Sequence, residues 1–288
     1  MKLNSLLRLL GAVATGAFVL AATPALSAQT AEEYTADGMS KMTEGNYDGA
    51  IADFTKVIEL KPADISAYAN RGLAESAQGN FDGAINDFTQ VIRFRPNDAA
   101  AYLQRGKAKY LQGNIDGAVE DLTKATELKP EDGATYFHLA LAKDAQNNLE
   151  DAVAAYSKTI ELKTGGDPTQ IAYATLFRAI DYNRGGRAGT ETFESASSWK
   201  SRWLRSLAAY VNGKLPEAEL LSRAGFDVTD DSEKAHERSE AYYFVGVGRL
   251  LKGDKAGASK AFNESFVNEP PSALNFRQAR SELDRMPH

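Results

Sequence analysis

A tyrosine recurs at Tyr34, Tyr68, Tyr102 and Tyr136, each 34 residues after the last. Ala50, Ala84, Ala118 and Ala152 keep the same spacing, and bulky Phe54, Phe88, Leu122 and Tyr156 follow them in register. The phrases GNYDGAIADF, GNFDGAINDF and GNIDGAVEDL are near copies, NNLEDAVAAY is a weaker fourth, and Pro62, Pro96 and Pro130 stand near the ends of the first three periods. A fixed period of this length is a severe constraint. One such unit cannot bury its own apolar face, so neighbours must stack into a solenoid.

Each period reads as two helices. In the second, helix A covers about Ser66 to Gln78 and helix B about Phe81 to Phe94, with Gly79-Asn80 as the turn. Glycine suits a left-handed cap there. Pro96 stops helix B because it has no N–H to donate. Gly38, Gly72 and Gly106 fall inside helix A, where glycine costs about 1 kcal/mol relative to alanine. Their recurrence in register predicts a close approach of helices. Arg71 and Arg105 share one helix A position, and Asp53, Asp87 and Asp121 share one helix B position. The fourth unit carries Leu139 and Ala155 there and loses both charges together. That joint loss predicts Arg71 paired with Asp87 and Arg105 with Asp121, or the equivalent pairing between neighbours; a guanidinium fork grips a carboxylate through two bonds.

With Tyr68, Gly72, Gly79, Phe81, Ala84, Phe88 and Pro96 in these places, the chain resembles the tetratricopeptide repeat (TPR) family. The resemblance implies an all-α fold, a right-handed TPR α-solenoid with a C-terminal capping helix. The expected organisation is a signal peptide at 1–28 and four tandem units over 29–166 (31–64, 65–98, 99–132 and 133–166). A divergent helical segment follows at 167–238, then a fifth unit at 239–272, and a capping helix and tail at 273–288. The fifth unit rests on Tyr242, Gly246, Gly253, Ala258, Phe262 and Pro270, which repeat the earlier spacing. In the fourth unit Ala140 replaces the helix A glycine and Thr164 the closing proline, so the regular stack should end or bend near Lys163–Asp167.

Inside the divergent segment, Ile171, Ala174, Phe177 and Asp181 carry helical periodicity. Asn183–Gly189 reads as a turn and Phe193 to Val211 as helix, with Trp199 and Trp203 on one face. Pro216 opens a short helix through Arg223, and Gly225 to Ser232 reads as a polar turn. In the last helix, from about Pro271 to Asp284, Arg277, Gln278, Arg280 and Glu282 are expected on an exposed face. The order Gly213–Leu221, Glu240–Phe244, Asn275–Leu283 resembles the NlpI-type TPR proteins of bacterial envelopes, though without their lipidation cysteine. That resemblance implies an adaptor for proteases or peptidoglycan hydrolases.

The N-terminus points to export. Lys2 and Arg8 precede an uncharged run over 9–23, Pro24 breaks it, and small Ala25 and Ser27 fit a cut after Ser27 or Ala28. The run is shorter than the roughly 20 apolar residues of a membrane span. Cleavage would leave a chain of net charge −8, and the expected compartment is the periplasm.

Composition excludes several chemistries. There is no cysteine, so no disulfide, thiolate zinc site or cysteine nucleophile. A formal charge of −6 disfavours nucleic acid. His138, His236 and His288 are too scattered for a metal centre. No P-loop, G-x-S-x-G or H-E-x-x-H is present, and Asp230–Glu233 lacks calcium-loop spacing and reads as solvated loop. The chain is read as a non-enzyme without cofactor or metal.

What remains is a binding surface. The family resemblance implies an inner groove lined by helix A, here Met39, Met42, Leu73, Leu103, Lys107, Tyr110, Phe137 and Leu141. Thr35, Ala69 and Met39 stand where chaperone-type repeats hold a carboxylate clamp, so an apolar helix or extended segment of a protein or peptide partner is expected. The functional expectation is an exported, non-catalytic scaffold or adaptor. A self-associating module is the alternative. A helical enzyme using Trp199, Trp203, Arg187 and Glu194 is a third reading.

Overall fold

The computed structural model describes residues 29–162, 168–186, 201–226, 228–267 and 274–286. The expected signal segment, the Lys163–Asp167 loop, Pro270, and Arg187, Glu194 and Trp199 lie outside them. The described residues form fourteen α-helices and no strand. Paired helices follow the repeat: α1 (Ala31–Thr43) with α2 (Tyr47–Leu60), α3 (Ile65–Gln78) with α4 (Phe81–Phe94), α5 (Ala99–Gln112) with α6 (Ile115–Leu128), and α7 (Gly133–Ala145) with α8 (Leu149–Leu162). Each pair packs on the next, and α9 (Pro168–Arg184) packs on α8 where the next helix A would stand. Shorter α10 (Arg202–Val211) and α11 (Glu217–Arg223) lead to α12 (Asp231–Leu251), α13 (Lys255–Ser265) and α14 (Leu274–Arg285). Among the described residues no helix is long and apolar enough to cross a membrane.

The repeated letters act locally. Asn46, Asn80 and Asn114 cap their B helices, each side chain accepting from the N–H of Gly49, Gly83 or Gly117. Such a cap satisfies donors the helix itself cannot. Gly79 and Gly113 close the A helices at φ 88° and 95°, and in the fourth unit Asn147 takes the left-handed turn at φ 61°. The mid-helix glycines meet the bulky residue of their own helix B. A Cβ on Gly106 would lie 2.8 Å from Leu122, and one on Gly246 2.5 Å from Phe262.

The expected ion pairs form. Arg71 grips Asp87 with Nε at 2.7 Å and Nη2 at 2.8 Å, and Arg105 grips Asp121 at 2.8 and 2.7 Å. Each arginine also donates to a threonine on helix B of the preceding unit, Thr55 or Thr89, at 3.1 Å. The sequence reading missed a second contact between units. Gln78 donates to Asp48, Gln112 to Asp82 and, at 2.7 Å, Gln146 to Asp116.

The core is uneven along the stack. In the first units it is broken into small clusters, such as Ala50, Phe54 and Ala74, or Ala84, Phe88 and Ala108. From Tyr110 onward it is one continuous body reaching Ala279, with Tyr156, Phe177, Tyr243, Phe244 and Phe262 at its centre. Phe177 is the hub, 5.9 Å from Tyr156 and 6.1 Å from Phe244.

Three local expectations are corrected. Asp231–Glu233 is not loop: α12 begins at Asp231, because the Asp230 side chain accepts from the Glu233 N–H and caps it. Helix A of the expected fifth unit therefore starts well before Ser239. Gln278 and Glu282, expected exposed, are buried, Arg277 is half-buried, and only Arg280 of the four faces solvent. They are buried because α14 folds back against the repeats rather than simply covering the end of the stack.

Candidate functional site

The ninth position of helix A runs Met39, Leu73, Lys107, Leu141 down the four units. Exposure falls along that column, from 49% at Met39 and 38% at Leu73 to half-buried Lys107 and 2% at Leu141. The groove is thus open at the first two units and closed at the fourth. Met42 and Leu103 are half-buried and pack against core residues. Tyr110, Phe137 and Leu141 are core residues. Phe137 lies 6.1 Å from Tyr156 and 6.5 Å from Phe177, inside the central aromatic cluster.

Four of the eight expected groove residues converge. Lys107, Tyr110, Phe137 and Leu141 line a cavity of about 180 Å³ with Leu111, Leu122 and His138. Tyr110 and Phe137 supply apolar ring surface. Lys107 makes no ion pair within the described residues, unlike Lys41 with Asp53 at 2.6 Å or Lys109 with Asp121 at 2.8 Å. Burial holds its ammonium below the ordinary lysine range. The half-buried His138 ring stands edge-on to Phe137 at 5.6 Å, and its crowding, with Lys107 nearby, keeps it neutral well below the usual imidazole range. The sequence around His138, apolar Phe137 and Leu139, suits a partly buried or rim histidine, and its place beside Lys107 follows only from stacking α7 on α5. Met39 and Leu73 stay outside the cavity, on the open approach to it.

Beyond the cavity, the edge formed by the turns between helices A and B is occupied by the chain itself. Arg277 of α14 lies over the Phe81 ring at 5.9 Å, and Arg285 donates to the Asp144 backbone carbonyl, with the Asp144 carboxylate 3.4 Å away. Arg184 of α9 joins Asp144 at 2.6 Å, Asp181 at 3.0 Å and Glu282 of α14 at 3.3 Å. Asp181 is 2% exposed, and burial beside Asp144 pushes its carboxyl up to about 8. Burial also raises Glu282. Trp203, the described member of the expected tryptophan pair, is buried and donates to Glu240 at 2.6 Å, with Tyr173 donating to the same carboxylate. It serves the core there, and the enzyme reading loses one of its site residues.

Comparison with known proteins places this geometry. Residues 40–79 and 72–113 match the family described as TPR repeat, and 103–167 match the tetratricopeptide repeat family. A tetratricopeptide repeat protein from Parabacteroides merdae ATCC 43184 superposes with a TM-score of 0.60 at 13% identity, covering 89% of this chain and 100% of that one. A MamA protein structure gives 0.50 at 22% identity over 69% of this chain and 97% of its own. MamA from its residue 41 to the end, from Desulfovibrio magneticus RS-1, gives 0.50 at 21% over 59% and 97%. At these identities the likeness is one of fold. Residues 40–167 match tetratricopeptide repeat models, and the chain has the fold of a TPR α-solenoid.

Proposed function

We propose that the protein is a non-catalytic, exported adaptor that holds an apolar segment of a protein partner in the inner groove of its first three units. TPR folds generally serve as protein-interaction scaffolds, and no enzymatic family is indicated. The observation that carries the reading is the open strip at Met39 and Leu73, which leads into the cavity at Lys107, Tyr110 and Phe137. An extended segment or helix would lay apolar side chains along the strip, where Met39 can adapt its shape. Lys107, which makes no ion pair among the described residues, favours an acidic group beside them.

Export rests on the Lys2–Ala28 pattern, and a periplasmic role beside a protease or hydrolase rests on the likeness of Gly213–Leu221, Glu240–Phe244 and Asn275–Leu283 to NlpI-type proteins. Crosslinking capture from envelope extract tests the groove. Phe137→Glu is unsuitable, because a charge within the aromatic cluster would unfold the chain. Leu73→Glu with Lys107→Glu reverses the groove's character on exposed and half-buried positions. The variant should stay helical and lose the partners held by the native chain. Equal capture by both would move the site elsewhere. N-terminal sequencing of the chain recovered from the periplasm should begin at Ala28 or Gln29, and a chain retained in the cytoplasm would overturn the export reading.

A further inference from the structure

We propose that the seat of α14 is an exchangeable helix-binding site, and that its incoming ligand is an amphipathic partner helix that sets an arginine against Asp144. The proposal rests on the adaptor reading only in supposing a protein partner. It concerns a different patch, the turn-side edge of units two to four.

Three observations carry it. The first is charge. Without α14 the seat holds two acidic side chains, Asp144 and Asp181, and one guanidinium, Arg184; α14 brings Arg285 together with Glu282, whose carboxylate lies 3.1 Å from Arg285 and 3.3 Å from Arg184. A buried carboxylate left without a cation is costly, and Asp144 shares its one guanidinium with Asp181, so a second cation beside Asp144 favours the filled seat. Arg285 supplies it here, reaching 141 residues back along the chain.

The second is the poor fit of the resident helix. Gln278 is only 3% exposed, yet neither of its amide atoms has a partner. Arg277 Nε and Arg285 Nε are also unsatisfied, so α14 holds four of the eight buried orphan polar atoms among the described residues. Water would satisfy those groups if the helix left, which weakens its hold. Among the described side chains of α14, Ala279 is fully buried, and Leu283 and Met286 pack partly against the core.

The third is space. A cleft of about 240 Å³ remains between α14 and the repeats, with Tyr110, Ile115 and Ala145 on one wall and Ser281 and Asp284 on the other. The apolar wall faces polar side chains. A helix that keeps the arginine and offers a large apolar residue at the Ser281 position would fill the cleft and outbind α14.

A labelled peptide of residues 274–288 tests the exchange directly. It is titrated onto the whole chain and onto the whole-length Arg285→Ala variant, whose own helix has lost its anchor while the seat is unchanged. The native peptide should bind the variant about tenfold more tightly than it binds the native chain, because a seat that is freed more often has a lower apparent Kd. A Ser281→Leu peptide should bind more tightly still, and an Arg285→Glu peptide should not bind. Equal binding of the Arg285→Glu peptide, or no saturable binding of any peptide to a variant shown to be helical and cooperatively folded, overturns the proposal. If Arg285→Ala does not fold, Ser281→Leu in the whole chain replaces it. That change should tighten the resident helix, slow amide exchange over 274–286 and exclude the peptide; unchanged exchange and peptide affinity overturn the proposal. Exchange of α14 between two copies, seen as a dimer by mass, would also overturn it, because the ligand would then be another copy. Loss of peptide binding with Leu73- and Lys107-dependent capture intact sinks the exchange alone and leaves the adaptor reading standing.

Discussion

At the scale of single residues, one column separates two ion pairs that look alike. The position four after Arg71 and Arg105 holds Glu75 in one unit and Lys109 in the next. Lys109 reaches Asp121 at 2.8 Å, so Asp121 has two cations, whereas Asp87 has Arg71 and faces Glu75. Burial and the Asp87 charge raise the Glu75 carboxyl to about 7, and its Oε2 has no partner. Arg71→Leu should therefore lower the melting temperature more than Arg105→Leu, its stability loss approaching the ~3–5 kcal/mol for breaking a buried pair. Equal losses in a thermal melt would contradict this. Glu75→Lys should stabilise the fold at pH 8 by about 1–3 kcal/mol, by removing an unsatisfied buried group and adding a cation for Asp87; an unchanged or lower melting point counts against it. The Arg–Asp pairs could be read from the sequence because their loss was correlated in the fourth unit. The conflict at Glu75 could not, because its meaning depends on a side chain across the helix pair.

At the scale of the helix, the register glycines and α14 give contrasting lessons. Gly106 and Gly246 were legible as contact points because the same spacing recurred, and the contacts are tight enough that Gly106→Ala should cost about 1–3 kcal/mol by overpacking Leu122. A melt within error of the native chain would refute that contact. The seat of α14 was not legible. Arg277, Gln278, Arg280 and Glu282 read as a solvated face by composition, and nothing local says that Asp144 lies opposite Arg285. The same helix has a pH dependence. Asp181 faces Asp144 of α7, Arg184 on its own helix and Glu282 and Arg285 of α14, with Tyr156 and Tyr243 on the core side. Its carboxyl is raised to about 8 by burial, by Asp144 and in part by Glu282 of α14, so undocking α14 should lower its proton affinity. Docking should therefore be stronger while Asp181 is protonated and weaken as pH climbs through about 8. Amide exchange over 274–286, corrected for its intrinsic rate, should show more opening at pH 8 than at pH 6. The reverse order would remove Asp181 from the latch.

At the scale of the molecule, the broken core of the early units and the continuous core after Tyr110 make stability directional. Repeat arrays unfold by units when neighbour contacts are weak. Hydrogen exchange should show α1 to α4 opening first and α7, α9 and α12 last. A single protection value throughout would mean that the chain folds as one cooperative body. The 34-residue period made the solenoid legible from Ala31 to Leu162. Past that point the period fades, and packing between distant segments, such as Trp203 on Glu240, sets the structure.

The glutamine–aspartate and arginine–threonine contacts between units have a consequence for how such a protein changes length. Each joins residues 30 or 16 apart, and each recurs one unit later with the same partners. A duplicated copy of residues 65–98, inserted in frame after itself, would meet the same partners on both sides. The stretch around the second unit can therefore lengthen by whole repeats across generations without redesign. The fourth cannot, because Leu139 and Ala155 have given up the arginine–aspartate pair. Ancestry of this kind would vary the reach of the open groove while holding the α14 end constant.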